Sequence, residues 1–178
     1  MFWYTLDVKK PIQYLLVGFP YSGKTTLAKE LGKRLGFAHI NIDQLKFDKG
    51  YKEVGDDDVP DLVWNEIFSE ADRLIIKYLS EGKNIANEYA WITRQWRDRA
   101  RKIAEEAGFQ TKVIYIKLPK EVIWKRWMEN SKTKTRFHWP KEEFERNFKD
   151  FEEPGEDEDV IVYDQKTPIE KWIKNYVK

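Results

Sequence analysis

The sequence has no cysteine, little net charge and no long hydrophobic segment. Without cysteine there is no disulfide, so redox chemistry gives no indication of the cellular compartment. The 32 basic and 31 acidic residues leave a formal net charge of +1, which provides no overall positive field for tight nucleic-acid binding. No stretch approaches the length of a membrane span, and the apolar residues 1–5 are too short for a signal peptide. We therefore expect a soluble, cytoplasmic protein without a membrane partner.

Strand-like and helix-like segments alternate along the 178 residues, a length that suits one α/β domain covering residues 1–178. Helical periodicity between the strands predicts a mainly parallel five-stranded sheet with helices on both faces. Residues 2–8 alternate loosely and suggest an additional edge strand. Residues 46–61 are polar and contain glycine and consecutive aspartates, which predicts a mobile surface loop. The five predicted strands are residues 13–17, 38–42, 84–87, 112–118 and 160–163.

A phosphate-binding motif follows the first of these strands. Residues 18–26 read Gly-Phe-Pro-Tyr-Ser-Gly-Lys-Thr-Thr and match the P-loop pattern Gly-x-x-x-x-Gly-Lys-Ser/Thr between a strand and a helix. In such a loop, backbone N–H groups and the positive end of the following helix bind phosphate oxygens. Lys24 supplies a charge to the outer phosphates, and the Thr25 hydroxyl is a ligand for Mg²⁺. The other predicted nucleotide-binding positions are Gly18, Tyr21, Ser22, Gly23 and Thr26.

Carboxylates follow two other predicted strands. Asp43 comes directly after residues 38–42, and Glu88 comes directly after residues 84–87. Because ligands bind at the carboxyl ends of parallel strands, we expect both side chains close to the phosphate loop. Glu88 has the position of a magnesium-holding carboxylate, and Asp43 that of a general base for an attacking hydroxyl. Either carboxylate could instead be a helix cap or a solvated loop residue. The phosphate loop nearby favours a role in the site over these alternatives.

The chain resembles the branch of P-loop kinases that contains polynucleotide 5′-hydroxyl kinases, zeta toxins and chloramphenicol phosphotransferases. The resemblance spans about residues 12–164, and besides the phosphate loop four stretches carry it. These are residues 42–46 (Ile-Asp-Gln-Leu-Lys), residues 88–97 (Glu-Tyr-Ala-Trp-Ile-Thr-Arg-Gln-Trp-Arg), Leu118-Pro119 followed by Val122, Lys125 and Arg126, and residues 151–154 (Phe-Glu-Glu-Pro) with Glu158.

The resemblance implies a three-layer P-loop NTPase fold with a small helical lid at about residues 126–140. It also implies ATP and Mg²⁺ as cofactors and transfer of the γ-phosphate to an alcohol. Asp43 would be the general base, while Lys24 and Thr25 would hold the phosphates and the metal, with Glu88 as the second metal ligand. Arg126 would enter the site from the lid and offset charge in the transition state.

Three positions depart from the pattern of the branch. Tyr21 stands where glycine is usual, which strains the backbone if that position has a positive φ. Glu88 replaces the more usual aspartate, and its side chain is one methylene longer. The second lid arginine, expected about four residues after Arg126, is Asn130 in this chain. Three basic residues that follow it are candidates for its role, namely Lys132, Lys134 and Arg136.

Basic residues outside the loop are candidates for acceptor binding. Lys46 follows Asp43 by three residues, as a basic residue does in the resembling branch. Arg94, Arg97 and Arg101 share one helix face by their spacing, and we assign Arg94 and Arg97 to substrate contact, the alternative being a solvated face.

The sequence thus predicts an ATP-dependent kinase whose partners are a nucleotide and a hydroxyl acceptor. The pairing of Asp43 with Lys46 and the basic lid favour a polynucleotide 5′-hydroxyl as acceptor. A small molecule, such as a nucleoside, a nucleotide sugar or an antibiotic, is nearly as well supported, because the charge of the chain is close to neutral. A third interpretation is an ATP hydrolase, or a nucleotide-binding module without phosphotransfer.

Overall fold

The computed structural model describes residues 10–177. The edge strand predicted at residues 2–8 therefore lies outside the described residues. Within them are five strands and seven α-helices, and no helix combines the length and apolarity needed to cross a membrane. The strands are β1 (Ile12–Val17), β2 (Ala38–Asn41), β3 (Ile85–Glu88), β4 (Gln110–Ile116) and β5 (Val160–Tyr163). The helices are α1 (Lys24–Leu35), α2 (Ile42–Asp48), α3 (Asp61–Ser80), α4 (Arg94–Glu106), α5 (Lys120–Thr133), α6 (Lys141–Asp150) and α7 (Ile169–Tyr176).

The strands form one parallel sheet in the order β2-β3-β1-β4-β5, which confirms the predicted fold class. β1 lies in the middle, with Leu16 in register with Glu88 of β3 and with Ile114 of β4. The phosphate loop that leaves β1 is therefore adjacent to the end of β3. Every strand ends at the same edge of the sheet, the edge at which parallel α/β folds bind ligands.

Side chains of β1 alternate between the two faces of the sheet, and they belong to a different hydrophobic cluster on each face. Tyr14 and Leu16 belong to a cluster with Leu27 and Leu31 of α1 and with Trp172 of α7. Leu15 and Val17 point to the opposite face, where they pack with side chains that include Ala100 of α4. Strands covered on both faces are largely apolar in sequence, and Gln13 is the only polar residue of β1.

The segment predicted as a mobile loop, residues 46–61, is partly helical and is held to the body of the protein. α2 continues through Asp48, and residues 56–58 form a short 3-10 turn. Lys46 Nζ donates to Val54 O and to Asp56 Oδ1, each at 2.9 Å. Trp64 Nε1 of α3 donates to Asp56 O at 3.2 Å. The prediction of a loop was wrong for residues 46–48, because α2 continues through them. The rest of the segment is anchored by hydrogen bonds from Lys46 and from Trp64 of α3.

A buried ion pair joins α4 to the segment before β5. Arg97 is 1% exposed, and its Nε and NH2 atoms donate to the two carboxylate oxygens of Glu158 at 2.8 and 2.9 Å. Arg97 also donates to Trp91 O and Glu152 O. Burial opposes ionisation of Glu158, but hydrogen bonds from Arg97, the Gly155 N–H and Arg101 outweigh it and lower the pKa of Glu158 to about 2. The pair therefore remains ionised and links the two segments.

We predict that Glu158→Ala lowers the free energy of unfolding by about 3–5 kcal/mol, because the variant leaves the Arg97 charge buried without its partner. Urea denaturation at pH 7 measures this loss. Because the folded-state pKa of Glu158 is lowered, the contribution is complete above about pH 5 and disappears as the pH falls towards 2. The matched control is Glu156→Ala, at an exposed glutamate of the same turn. Equal losses in the two variants would contradict a stabilising role for the pair.

Candidate active site

A cavity of about 1030 Å³ opens at the carboxyl edge of the sheet. Most of its lining comes from the phosphate loop with the start of α1, α2 with the end of β3, Arg126 of α5, residues 135–139, and the segment between β5 and α7. Lys24, Thr25, Asp43, Glu88 and Arg126 all line this cavity. The structure thus brings together side chains that are up to about a hundred residues apart in sequence.

Glycine is required at two positions of the phosphate loop. A Cβ at Gly18 would lie 2.9 Å from Ser22 Oγ and 3.1 Å from Ile116 O, so the loop passes close to the end of β4. Gly23 has φ +104° directly before α1, a conformation that strains any other residue. Gly18 and Ser22 are buried behind the lining, whereas Tyr21, Gly23 and Thr26 line the cavity with Lys24 and Thr25. Of the predicted nucleotide-binding side chains, that of Ser22 therefore does not line the cavity.

Lys24 begins α1 and lies in the curve of the loop. Its Nζ donates to Gly18 O and Phe19 O, both at 2.8 Å, and only 8% of the residue is exposed. Burial lowers the pKa of Lys24 to about 8, although the charges of Glu88 and Asp43 act in the opposite direction. The side chain is therefore still mostly protonated at pH 7, and its charge lies at the N-terminus of a helix, where anions bind.

Tyr21 has φ +66°, so this residue does adopt the left-handed conformation that strains a residue other than glycine. For a residue with a Cβ this conformation costs about 1–2 kcal/mol. The side chain is nevertheless 5% exposed and packs in a T-shaped arrangement on Phe144, with ring centroids 5.9 Å apart. Its hydroxyl donates to Phe137 O at 3.1 Å. Tertiary packing thus holds the strained residue in place.

Glu88 joins the phosphate loop to β2. Thr25 Oγ1 donates to Glu88 Oε1, His39 Nε2 lies 2.6 Å from Glu88 Oε2, and Asn41 Nδ2 donates to the same oxygen at 3.1 Å. Burial opposes ionisation of Glu88, but the contacts with His39 and Thr25 and the charge of Lys24 outweigh it and lower the pKa of Glu88. The carboxylate is therefore ionised next to the Thr25 hydroxyl.

The oxygen atoms of Thr25 and Glu88 fit a magnesium ion. Mg²⁺ prefers oxygen ligands and is usually bound by one or two protein side chains together with phosphates and water. Among residues 10–177, no group of three or more acidic or histidine side chains is arranged to hold a metal on its own. The donor set therefore suits a metal that arrives with a nucleotide better than a permanently bound one.

Asp43 is the second residue of α2, because β2 ends at Asn41 and not at residue 42 as predicted. Asn41 caps this helix by accepting from Gln44 N at 3.0 Å. Asp43 is half-buried and lines the cavity. Burial and the nearby Asp56 carboxylate raise the pKa of Asp43 to about 6, although Lys24 and Lys46 act in the opposite direction. The carboxyl group is thus ionised at pH 7 and is a stronger base than an exposed aspartate.

Lys46 is largely occupied by contacts within the protein. It is 1% exposed, pairs with Asp56, and its Nζ lies 5.4 Å from the centroid of the Phe137 ring. Asp56 Oδ2 also accepts from the Tyr89 hydroxyl at 3.3 Å. Lys46 lines the cavity, but its charge is paired with Asp56 inside the protein, and this argues against the predicted role of Lys46 in substrate binding. Asp56 and Tyr89 were not identified from the sequence.

Arg126 connects α5 to the phosphate loop. Its NH1 donates to Tyr21 O and Ser22 O at 3.0 and 3.2 Å, and its NH2 donates to Gln165 Oε1 at 2.9 Å. Gln165 Nε2 in turn donates to Ser22 O at 2.6 Å. Gln165 follows β5 and lines the cavity, but it was not predicted from the sequence. Its place after the carboxyl end of a strand was the available signal.

Arg94 and Arg97 do not line the cavity, which argues against their predicted contact with substrate. Arg97 is held by Glu158 as described above, and Arg94 pairs with Asp98 and Asp157 at 2.8 and 2.9 Å. Helix periodicity correctly placed Arg94 and Arg97 on one face of α4. That face is paired with Asp157 and Glu158, which are about sixty residues away in sequence. Of the candidates for the second lid cation, only Arg136 lines the cavity, whereas Lys132 and Lys134 do not.

The comparisons with known proteins agree with this architecture. The family described as AAA domain matches residues 14–154, and a search of curated proteins found no match. A sugar kinase from Janibacter sp. has 19% identity and a TM-score of 0.67, covering 93% of this chain and 91% of that one. The APS kinase of Mycobacterium tuberculosis in complex with AMPPNP and APS has 14% identity, a TM-score of 0.66, and coverage of 93% and 95%. A gluconokinase from Sinorhizobium meliloti has 18% identity, a TM-score of 0.60, and coverage of 93% and 89%.

The sheet order and the phosphate loop thus define a P-loop kinase-like fold. The chain belongs to the AAA domain family, whose match covers most of its length. At identities of 14–19%, the solved structures show a shared fold and leave the acceptor open. These matches do not single out the branch of polynucleotide 5′-hydroxyl kinases that the sequence resembles.

We predict that Asp43→Asn stabilises the protein in the absence of nucleotide and metal. A carboxyl group whose folded-state pKa is raised destabilises the folded state above that pKa, about 6 here, and this penalty vanishes as the pH falls below the unfolded-state pKa of about 4. The melting temperature should therefore rise by several degrees at pH 8 and be unchanged at pH 3. Asp48→Asn, at an exposed position of the same helix, is the control. A lower melting temperature for Asp43→Asn at pH 8 would contradict the argument.

Proposed function

We propose that the protein is an ATP-dependent kinase that transfers the γ-phosphate of ATP to a hydroxyl group of a small molecule. The observation that carries the proposal is that the phosphate loop and the Asp43 carboxylate face the same cavity. A volume of about 1030 Å³ suits a nucleotide together with a small acceptor. Phosphoryl transfer depends mainly on positioning and electrostatic stabilisation, and charged side chains surround this cavity.

The nucleotide occupies the phosphate-loop half of the cavity in this proposal. Backbone N–H groups of residues 18–26, the Lys24 ammonium and Thr26 bind its phosphates, and Arg126 approaches from α5. Thr25 and Glu88 would hold Mg²⁺, which neutralises charge on the phosphates when it is bound. His39 and Asn41 keep the Glu88 carboxylate oriented towards Thr25.

Asp43 acts as the general base. The acceptor hydroxyl gives its proton to the Asp43 carboxylate, its oxygen forms a bond to the γ-phosphorus, and the bond from that phosphorus to the oxygen of the leaving ADP breaks. A carboxyl group with a pKa of about 6 is ionised at pH 7 yet retains appreciable basicity, which suits this step. We further propose that residues of about 126–140 form a lid that carries Arg126 and Arg136 over the transferred group.

A small-molecule acceptor is better supported than a polynucleotide. Lys46, the residue that favoured a polynucleotide on sequence grounds, is buried and paired with Asp56. A net charge of +1 supplies no overall positive field that would attract a nucleic-acid backbone. The structural relatives named above phosphorylate, by their descriptions, a sugar, gluconate and APS, each of which is a small molecule.

Transfer of radiolabel from the γ-phosphate of ATP identifies the acceptor class. The protein is incubated with labelled ATP, Mg²⁺ and, in separate reactions, sugars and sugar acids, nucleosides and nucleotides, antibiotic alcohols, 5′-hydroxyl oligonucleotides, or water alone. We expect label in a small alcohol. Label that enters oligonucleotides alone would support the polynucleotide kinase, and label found only in free phosphate would support the hydrolase.

We predict that Asp43→Asn reduces the rate of transfer by about 10²- to 10⁴-fold, because it removes the general base. Binding of MgATP, measured by calorimetry, should change little. Lys24→Met should instead weaken the binding of MgATP directly, because it removes a charge that binds the phosphates. If Asp43→Asn and Lys24→Met impair MgATP binding to the same extent, Asp43 has a structural role and the proposed mechanism is wrong.

A further inference from the structure

Two departures from the pattern of the resembling kinases, Tyr21 and Asn130, are in contact with each other. Asn130 Nδ2 donates to the Tyr21 hydroxyl at 3.5 Å, and both residues are buried. The same hydroxyl donates to Phe137 O at 3.1 Å and accepts from Trp139 N at 3.4 Å. A side chain of the phosphate loop therefore reaches the loop after α5 and is hydrogen-bonded to its backbone.

Asn130 fixes the same loop from the side of α5. Its Nδ2 donates to Arg136 O at 3.1 Å, and its Oδ1 accepts from Arg136 N at 3.3 Å and from Thr135 Oγ1 at 3.2 Å. Backbone groups of residues 135–139 thus have fixed partners in both Asn130 and Tyr21. An amide can provide this pattern because it both donates and accepts, whereas an arginine at position 130 only donates.

Arg136 lies on the Tyr21 ring. Its guanidinium carbon is 5.0 Å from the ring centroid, a cation–π distance. The Arg136 side chain lines the cavity and forms no ion pair with a carboxylate of residues 10–177. Its charge is therefore available to an anion in the cavity.

We propose that Tyr21 is a positioning residue that, together with Asn130, holds Arg136 over the phosphate-binding end of the cavity. Arg136 takes the place of the missing arginine at position 130 and contacts the terminal phosphate of the nucleotide. The ring supports the guanidinium, and the hydroxyl fixes the backbone that carries it. An otherwise exposed arginine is thereby ordered before the nucleotide binds, which reduces the conformational entropy lost on binding. The inference rests on the proposed function and adds Arg136 to the cations of the nucleotide site.

The experiment compares the binding of MgATP with that of MgADP, because the two nucleotides differ only in the terminal phosphate. Calorimetry is applied to the wild type, Arg136→Ala, Tyr21→Leu and the double variant. We expect Arg136→Ala to weaken MgATP binding by about tenfold or more, the usual range for a hydrogen bond to a charged group, and to change MgADP binding less than twofold. Lys132→Ala, a basic residue near the end of α5 that does not line the cavity, is the matched control.

The double variant separates positioning from packing. If Tyr21 acts through Arg136, Tyr21→Leu reduces the preference for MgATP over MgADP, and Arg136→Ala adds little to that loss. Losses that multiply in the double variant, or equal losses for the two nucleotides, overturn the proposal. Should Tyr21→Leu fail to fold, Tyr21→Phe, which keeps the ring, and Asn130→Ala replace it. Both remove bonds to the loop and should lower the same preference, and an unchanged preference in both overturns the proposal.

The outcome also distinguishes this inference from the proposed function. A selective loss of MgATP binding in Arg136→Ala, without transfer to any alcohol, supports the positioning of Arg136 and contradicts the kinase. Transfer to an alcohol with unchanged nucleotide preferences in all variants supports the kinase and overturns the positioning. Absence of nucleotide binding in the wild type overturns both.

Discussion

The site depends on burying charges of opposite sign next to each other at one edge of a parallel sheet. Lys24 is 8% exposed and Glu88 is 4% exposed, and neither charge is tolerated in such a place without partners. The register of β1 with β3 brings Leu16, two residues before the phosphate loop, next to Glu88, the carboxylate that contacts Thr25. Because sheet pairing fixes these positions, the charges converge before any ligand binds. An electrostatic site of this kind needs little rearrangement to act on phosphate.

The sequence predicted well those features that are encoded by neighbouring residues. The phosphate loop is a contiguous motif, and the glycines at positions 18 and 23 are required by the close approach and the positive φ that the structure has there. The alternation of strands and helices was sufficient to predict the fold class, because parallel strands with helical crossovers have few possible arrangements. Asp43 and Glu88 were placed near the loop by the same rule, since both follow strands that end at one edge of the sheet.

The features that the sequence did not predict depend on partners far along the chain. The helix periodicity around Arg97 could not reveal Glu158, which is 61 residues away and occupies its guanidinium. Similarly, nothing near Lys46 identifies Asp56 as its partner, because residues 46–61 have the composition of a loop. His39 and Gln165 were missed for the same reason, although each lies in or directly after a strand, near the edge where ligands bind. Motifs thus locate a site, and tertiary contacts decide which of its charges are available.

Tyr21 shows how a locally unfavourable residue is retained at such a site. Its left-handed backbone costs about 1–2 kcal/mol, a cost that glycine would avoid. Its side chain is buried among α5, α6 and the loop between them, and a well-oriented aromatic pair such as Tyr21–Phe144 contributes about 0.5–1.5 kcal/mol beyond the burial of apolar area. The hydrogen bonds of its hydroxyl add to this stabilisation. The strain is therefore offset by contacts that also connect the phosphate loop to the segment that carries Arg136, and a glycine at this position would relieve the strain but lose that connection.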